Sequence, residues 1–272
     1  MKLRTITRAS LLAMTVTAAA SAGAAEVPIN LSSWEKRGVA ANGNWTVAAD
    51  GNSVFQSING NPTFFVSPTD QINTTLRGKI KVETTSDDDY IGFVFGFNGP
   101  ASTGTDMDFL LFDWKQSNQG AATEGFALAR VNGNIPNSAA DPVFWNRVDN
   151  PTYGYDNLAT LYGSDKGWED NVEYDFTMLY QDNRIKIDIA GGAFGAGATI
   201  FDIAGTFQSG RFGFYNYSQQ GVRYSGLTEE DTPATPPGPS PVPEPATLAL
   251  SMLALGLMAR LRQQPARASV KA

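Results

Sequence analysis

Alternation of apolar and polar residues limits this chain to a small set of folds. In residues 75–83, TLRGKIKVE, the apolar side chains Leu76, Ile80 and Val82 share one side, and charged residues occupy the other. A period of two is that of a half-buried β-strand, because successive strand side chains lie on opposite faces. Residues 173–180 and 184–189 repeat the pattern. No stretch of the central region carries the apolar stripe of a helix.

Turn formers such as Asn42-Gly43 and Asp50-Gly51 separate about a dozen short strand patterns of this kind. So many one-sided strands are buried most simply between two antiparallel sheets. The sequence therefore predicts an all-β antiparallel jelly-roll β-sandwich.

The absence of two residue types restricts the chemistry. The chain has no cysteine and no histidine, which excludes disulfides, thiolate nucleophiles and the commonest transition-metal ligand and general base. Residues 26–231 hold 13 basic and 26 acidic residues, a net charge of −13. So acidic a region is a poor partner for nucleic acid or an anionic membrane and a suitable one for divalent cations.

The two ends of the chain predict export rather than fold. Residues 1–25 combine a basic start, an apolar stretch and small residues at the end, which is typical of a secretory signal peptide. Residues 232–241 are a Pro-rich linker. The apolar run 246–259 is short for the roughly 30 Å hydrocarbon core, so it predicts a marginal transmembrane helix with transient membrane contact.

Three consecutive acids, Asp87, Asp88 and Asp89, directly precede an aromatic strand pattern, YIGFVFGF, at residues 90–97. Clustered carboxylates repel one another, and their oxygens suit a hard cation, Ca²⁺ first and Mg²⁺ second. The alternative is an acidic turn that caps a hairpin. On the following strand, Ile91, Phe93, Phe95 and Phe97 are predicted to share one face, with Gly92 and Gly96 leaving the other face nearly bare.

Residues 141–167 are rich in Asn, Asp, Gly and Pro and predict a long surface loop. Its aromatic residues Trp145, Tyr153 and Tyr155 either pack onto the sandwich or are exposed for stacking on a sugar.

The end of the chain resembles a known sorting signal. Val242-Pro243-Glu244-Pro245, an apolar segment and an Arg-rich end follow one another as in the PEP-CTERM tail, which exosortase reads in Gram-negative bacteria. The resemblance implies that residues 242–272 form a tail processed by an exosortase-type enzyme. The mature protein is then expected at the cell surface, the outer membrane or in the extracellular matrix.

From about Trp45 to Leu227, nearly the whole of the predicted sandwich domain at 26–231, the chain resembles the C-terminal, L-type-lectin-like domain of thrombospondins. The likeness rests on pieces in register, namely TTSDDDYIGFVFGF, Trp114-Lys115-Gln116, Gly167-Trp168-Glu169-Asp170 and Gly210-Arg211-Phe212-Gly213. It implies a concanavalin-like sandwich that binds Ca²⁺ through Asp87, Asp88 and Asp89 and acts in adhesion or matrix assembly. Asp170 matches a family turn residue and is expected to accept hydrogen bonds in the turn. The cysteines and Asp-rich repeats of the animal proteins are missing.

Three functions remain open from the sequence. The first is a non-enzymatic calcium-binding adhesion module with a surface or matrix polysaccharide or glycoprotein as partner. The second is a carbohydrate-binding lectin, and the third is a glycoside hydrolase on the same fold. A hydrolase needs paired carboxylates at a set separation, and the nearest candidates, Glu169-Asp170-x-x-Glu173 and Asp106-x-Asp108, have the wrong spacing.

Overall fold

The computed structural model describes residues 25–99, 107–135 and 141–232, and within them β-strands form two antiparallel sheets. In chain order the strands are β1 (Val27–Pro28), β2 (Glu35–Arg37), β3 (Trp45–Val47), β4 (Ser53–Gln56), β5 (Thr63–Gln71), β6 (Thr74–Val82), β7 (Tyr90–Phe97), β8 (Met107–Lys115), β9 (Gly125–Gly133), β10 (Tyr155–Tyr162), β11 (Glu173–Tyr180), β12 (Arg184–Ala190), β13 (Ala198–Ala204), β14 (Gly210–Tyr217) and β15 (Val222–Asp231). The eight-stranded sheet has the order β13-β12-β11-β6-β15-β4-β3, with β1 also paired to β15, and the seven-stranded sheet has the order β10-β9-β8-β7-β14-β5-β2.

The alternation in β6 behaves as the sequence predicts. Leu76, Ile80 and Val82 are buried, whereas Arg77, Lys79 and Lys81 are only partly covered. Strand β6 lies between β11 and β15 in the eight-stranded sheet and is therefore a central strand. One of its faces packs on the core. The predicted all-β jelly-roll sandwich is confirmed.

An inner core fills the space between the two sheets. It is apolar and strongly aromatic, because both sheets direct their large side chains into it. Its central rings are those of Phe93, Phe95, Phe112, Phe126, Phe176, Phe212 and Phe214. Phe93 is fully buried, with its ring centroid 4.5 Å from that of Phe112 and 5.0 Å from that of Phe176.

The seven-stranded sheet carries a second, outer core on its other face. Segment 142–155 covers this face and contributes Val143, Phe144 and Tyr155 to the outer core. All eight residues of β7 are therefore buried. The prediction that Gly92 and Gly96 leave one face of β7 bare is wrong, because Tyr90 and Val94 from the same strand pack under this covering segment.

A β-bulge near the end of β7 corrects a second prediction. Strand β14 pairs Gly213 with Val94 and Arg211 with Phe97, so β7 has one extra residue between these pairs. Gly96, at φ 61°, occupies the left-handed conformation that glycine adopts readily at such a bulge. The extra residue reverses the alternation, and Phe97 lies in the outer core instead of joining Phe93 and Phe95.

The predicted loop at residues 141–167 is only partly a loop. Asp141–Trp145 forms one π-helical turn, and Tyr155–Tyr162 is strand β10, which pairs with β9 at the edge of the seven-stranded sheet. Val143, Phe144 and Tyr155 of this segment belong to the outer core, whereas Ala159 and Leu161 pack against the inner core.

The predicted signal peptide and sorting tail lie outside the described residues, as does the marginal transmembrane helix expected at 246–259. Across the described ranges, no helix has the length and apolar character needed to cross a membrane.

Candidate metal centre

Asp87, Asp88 and Asp89 lie together at the end of the connection from β6 to β7. One carboxylate oxygen from each can be chosen so that all three lie within 4.8 Å of one another. Asp87 and Asp88 are partly exposed, and Asp89 is buried. The structure thus brings the three predicted ligands into one cluster.

Lys115, at the end of β8, inserts a positive charge into this cluster. Its side chain is fully buried, and its Nζ lies 2.7 Å from Asp89 Oδ1 and 3.1 Å from Asp88 Oδ1. The ammonium also donates to the backbone carbonyl of Asp88 at 3.0 Å. It lies 5.1 Å from the centroid of the Trp145 ring, within range of a cation–π contact. The charge of Lys115 therefore offsets part of the repulsion among the three carboxylates.

The carboxyl groups of Asp87 and Asp88 have opposite pKa shifts. Burial and the nearby charge of Asp89 raise the pKa of Asp87 to about 6. Burial also acts on Asp88, but hydrogen bonds from Ser117 and Lys115 outweigh it and lower the pKa of Asp88 below its ordinary value. Of these two acids, Asp87 is thus the one whose charge is less well compensated.

Backbone and side-chain hydrogen bonds fix the triplet to three other segments. The Asp89 amide donates to Gln219 Oε1 at 2.9 Å, and the Trp168 indole donates to the Asp89 carbonyl at 3.0 Å. The amide of Gln116 donates to the Asp88 carbonyl at 3.1 Å. These contacts hold the acidic residues in place even though they lie in a connection between strands.

The amide of Gln119 faces the same carboxylates. Turned so that its nitrogen points at them, it donates to Asp89 Oδ1 at 3.0 Å and to Asp88 Oδ1 at 3.2 Å. Turned the other way, it presents its carbonyl oxygen to the cluster and accepts a hydrogen bond from Lys115 at 3.3 Å. Three carboxylates and one ammonium leave a formal charge of −2. The donor set and the charge both fit one divalent oxygen-seeking cation.

Sequence reasoning missed Lys115, Asn59 and Ser117. Asn59 donates to Asp87 Oδ2, and Ser117 donates to Asp88 Oδ2. The sequence carries a signal for Lys115, because a single lysine ends the largely apolar strand β8. The structure places this lysine opposite Tyr90 on β7. Asn59 and Ser117 come from distant turns, and no local pattern connects them to the triplet.

Two further acids have buried carboxylate oxygens. Asp170 was expected to accept hydrogen bonds in its turn, but its Oδ1 is buried and has no partner among the described residues. Asp113, on β8, is fully buried, and its Oδ1 lies 3.0 Å from Arg147 Nε, which is also buried. Burial raises the pKa of Asp113 to about 6, although the charge of Arg147 opposes the shift.

The three aromatic candidates for sugar contact have different environments. Tyr155 is 1% exposed and belongs to the outer core, so its ring is unavailable to a ligand. Tyr153 is partly buried against the same core. Trp145 is also partly buried, and it lines an open cleft beside the acidic triplet.

Comparison with known proteins identifies the two parts of the chain. The model of the thrombospondin C-terminal region matches residues 40–231, and the PEP-CTERM protein-sorting motif matches residues 241–263. The sorting motif marks an exported protein of the cell surface or extracellular space.

Relatives and a solved structure agree with these matches. The chain is 28% identical to thrombospondin-3b from Danio rerio and 26% identical to thrombospondin-4 from Bos taurus, in each case over 68% of this chain. It spans about a fifth of the length of these curated relatives. The calcium-bound exoplasmic domain of VIP36 has the same fold, with a TM-score of 0.51 at 8% identity over 76% of this chain and 86% of that one. The chain belongs to the thrombospondin C-terminal region family.

Proposed function

We propose that this protein is an exported calcium-binding module of the cell surface or extracellular matrix that associates with surface polysaccharide or glycoprotein. Asp87, Asp88 and Asp89 hold the ion. The observation that carries the proposal is the uncompensated charge of the triplet, because Lys115 is the one ammonium paired with its carboxylates among the described residues. An exosortase-type enzyme is expected to process the tail that matches the sorting motif.

The chemistry of the cluster favours calcium. Its donors are carboxylate oxygens, with the amide oxygen of Gln119 within reach, and hard cations prefer such oxygens. The bound ion supplies positive charge that offsets the repulsion around Asp87 and links the β6–β7 connection to the turn after β8. Calcium in the VIP36 structure of the same fold, and membership of the thrombospondin family, support this choice.

We propose no catalytic role for the acids considered as hydrolase candidates. Glu169 accepts hydrogen bonds from the Ala193 amide at 3.0 Å and the Tyr174 hydroxyl at 3.3 Å. Glu173 pairs with Lys79 at 2.6 Å on the surface of the eight-stranded sheet. Such contacts give both acids structural roles, and Asp106 lies outside the described residues.

Thermal unfolding of the full chain tests the metal. In Ca²⁺ at 100 times its dissociation constant, mass action stabilises the native state by about 2.7 kcal/mol relative to EDTA. For a chain of this size that is a rise of roughly 5–10 °C in Tm. We expect Mg²⁺ to give a smaller rise. Asp88→Asn should remove most of the calcium effect, and Asp165→Asn, an exposed acid paired with Lys166, should leave it unchanged.

No rise in Tm with Ca²⁺ would contradict the proposal and leave the triplet as an acidic connection between the two sheets whose counter-charge is Lys115. An equal rise in the parent and in Asp88→Asn would place the ion elsewhere.

A further inference from the structure

An open cleft of about 680 Å³ lies beside the acidic triplet. Its walls come from the loops that carry Asn42, Asn59 and Asn61, from the turn that carries Trp145 and Asn146, and from the end of β14 at Tyr217. The volume is within the range of small-molecule sites in proteins.

The described residues that line the cleft are mostly polar or aromatic and uncharged. None of these described residues is acidic or basic, although the chain as a whole is acidic. Within the described part of the chain, the side-chain amides of Asn42, Asn61 and Asn146 make no hydrogen bond to protein groups. Each amide offers a carbonyl acceptor and two N–H donors to a ligand. The described lining therefore presents donors and acceptors in pairs, without a charge that selects an ion.

Trp145 supplies an apolar wall that the protein holds in position. Its ring lies edge-to-face against Tyr217, at 5.7 Å and 80°, and against Tyr90, at 5.5 Å and 77°. The Tyr90 hydroxyl donates to the Trp145 backbone carbonyl. Part of the indole remains exposed in the cleft, so a rigid aromatic surface lies next to free amide groups.

The wall nearest the triplet opposes negatively charged ligands. Asn59 lines the cleft and donates to Asp87 Oδ2, so a carboxylate lies directly behind it. A ligand that carried carboxylates or sulfates would meet this negative potential. A neutral ligand rich in hydroxyl groups would not.

We propose that this cleft binds a neutral glycosyl unit of a polysaccharide, with the C–H face of the sugar against Trp145 and its hydroxyl groups hydrogen-bonded to Asn42, Asn61 and Asn146. The proposal rests on the proposed function, because it names the site and the class of polysaccharide that the surface module recognises. The residues that make the contacts differ from those assigned to the ion.

Affinity electrophoresis of the full chain tests the proposal. Native gels contain calcium and one of three neutral polysaccharides (dextran, galactomannan or mixed-linkage β-glucan) or the anionic polysaccharide alginate. We expect retardation by at least one neutral polymer and none by alginate. Trp145→Ala should weaken the interaction about tenfold, and Trp145→Phe should retain most of it. Asn61→Ala should weaken it several-fold.

Asn183→Ala is the matched control, because Asn183 is an exposed asparagine in the β11–β12 turn. That turn lies at the opposite end of β6 from the cleft, since Tyr180 pairs with Thr74 and Val222 pairs with Val82. The control should bind as the parent does. Loss of binding in Trp145→Ala supports the proposal only if the calcium-induced rise in Tm of this variant equals that of the parent. If the rise differs, Asn61→Ala and Trp145→Phe provide the test instead.

The proposal is overturned if no neutral polymer retards the parent, if alginate retards it equally, or if the Trp145 and Asn61 variants bind as the parent does. A normal calcium response together with any of these results rejects the glycan site and leaves the calcium module standing. Loss of both the calcium response and glycan binding rejects both proposals.

Discussion

The two cores of this sandwich differ in chemistry, although both pack against the seven-stranded sheet. The inner core, between the sheets, consists of aromatic and aliphatic side chains. The outer core contains the buried pair Asp113–Arg147 and borders the buried Lys115. It also includes Tyr155 and Tyr215, whose hydroxyls have no hydrogen-bond partner among the described residues.

The difference separates what holds the fold from what forms the sites. Burial of uniform apolar surface stabilises the inner core without requiring matched polar groups. Buried charges in the outer layer need specific partners, so each one fixes a particular segment. Arg147 fixes the turn that carries Trp145, and Lys115 joins the triplet to β8. Both proposed sites lie along this outer layer.

Removing a ring from the inner core should have the largest effect on stability. Phe93→Ala leaves a cavity among Phe112, Phe176 and Phe212, at a cost of about 4 kcal/mol in the free energy of unfolding. Urea unfolding in EDTA and in calcium measures it. The calcium-induced gain should match the parent's, because the ring contacts of Phe93 are to other phenylalanines of the inner core and not to the triplet. Loss of that gain would show that the two cores are not separable.

Removing Arg147 should break the outer core in a pH-dependent way. Arg147→Met strands the buried Asp113 carboxylate, at a cost of about 3 kcal/mol at pH 8. The pKa of Asp113 is raised to about 6 even beside Arg147, and loss of the guanidinium raises it further. A carboxyl group with a raised folded-state pKa stabilises the native state at low pH, and the contribution is lost as pH rises through that pKa.

The Arg147→Met variant should therefore be closer to the parent at pH 5 than at pH 8 when urea unfolding is compared at both values. Adding Asp113→Asn to this variant should remove the difference between the two pH values. Equal destabilisation at pH 5 and pH 8 would mean that Asp113 stays ionised throughout.

Replacing Lys115 should have a smaller effect that calcium reverses. Lys115→Met removes the buried ammonium and leaves the triplet with a charge of −3, at a cost of about 2 kcal/mol in EDTA, the usual contribution of hydrogen bonds to charged groups. Calcium should restore stability, and its effect on Tm should exceed that in the parent, because the competing positive charge is gone. Thermal unfolding across a calcium series measures this. An unchanged calcium effect would mean that the ion does not sense the Lys115 charge.

The inner core was predictable because its residues follow the strand period. Leu76, Ile80 and Val82 on β6, and Phe93 and Phe95 on β7, share faces as the alternation indicates. The exception is Phe97, where one extra residue at Gly96 reverses the faces. Bulges depend on the neighbouring strand, so a single-strand pattern does not reveal them.

The outer layer was less predictable because tertiary contacts create it. The triplet itself stands out as three consecutive acids, but its counter-charge, Lys115, lies 26 residues away from Asp89 along the chain. Segment 141–167 has no clear period, since Val143 and Phe144 serve the outer core while Trp145 also lines the cleft. The resemblance to thrombospondins indicated the acidic triplet as the candidate ligands but not the lysine, the cleft or the ion pair of Asp113 and Arg147.

Terbium luminescence tests the central claim, that Asp87, Asp88 and Asp89 form a calcium site at this end of the outer layer. Tb³⁺ replaces Ca²⁺ at oxygen sites and emits when a nearby tryptophan is excited. Trp145 lies 5.1 Å from Lys115 Nζ, and Trp168 donates to the Asp89 carbonyl, so an ion held by the triplet has two donors nearby. We predict sensitised emission that Ca²⁺ displaces, that Asp88→Asn abolishes and that Asp165→Asn retains. Emission that survives Asp88→Asn unchanged would contradict the assignment.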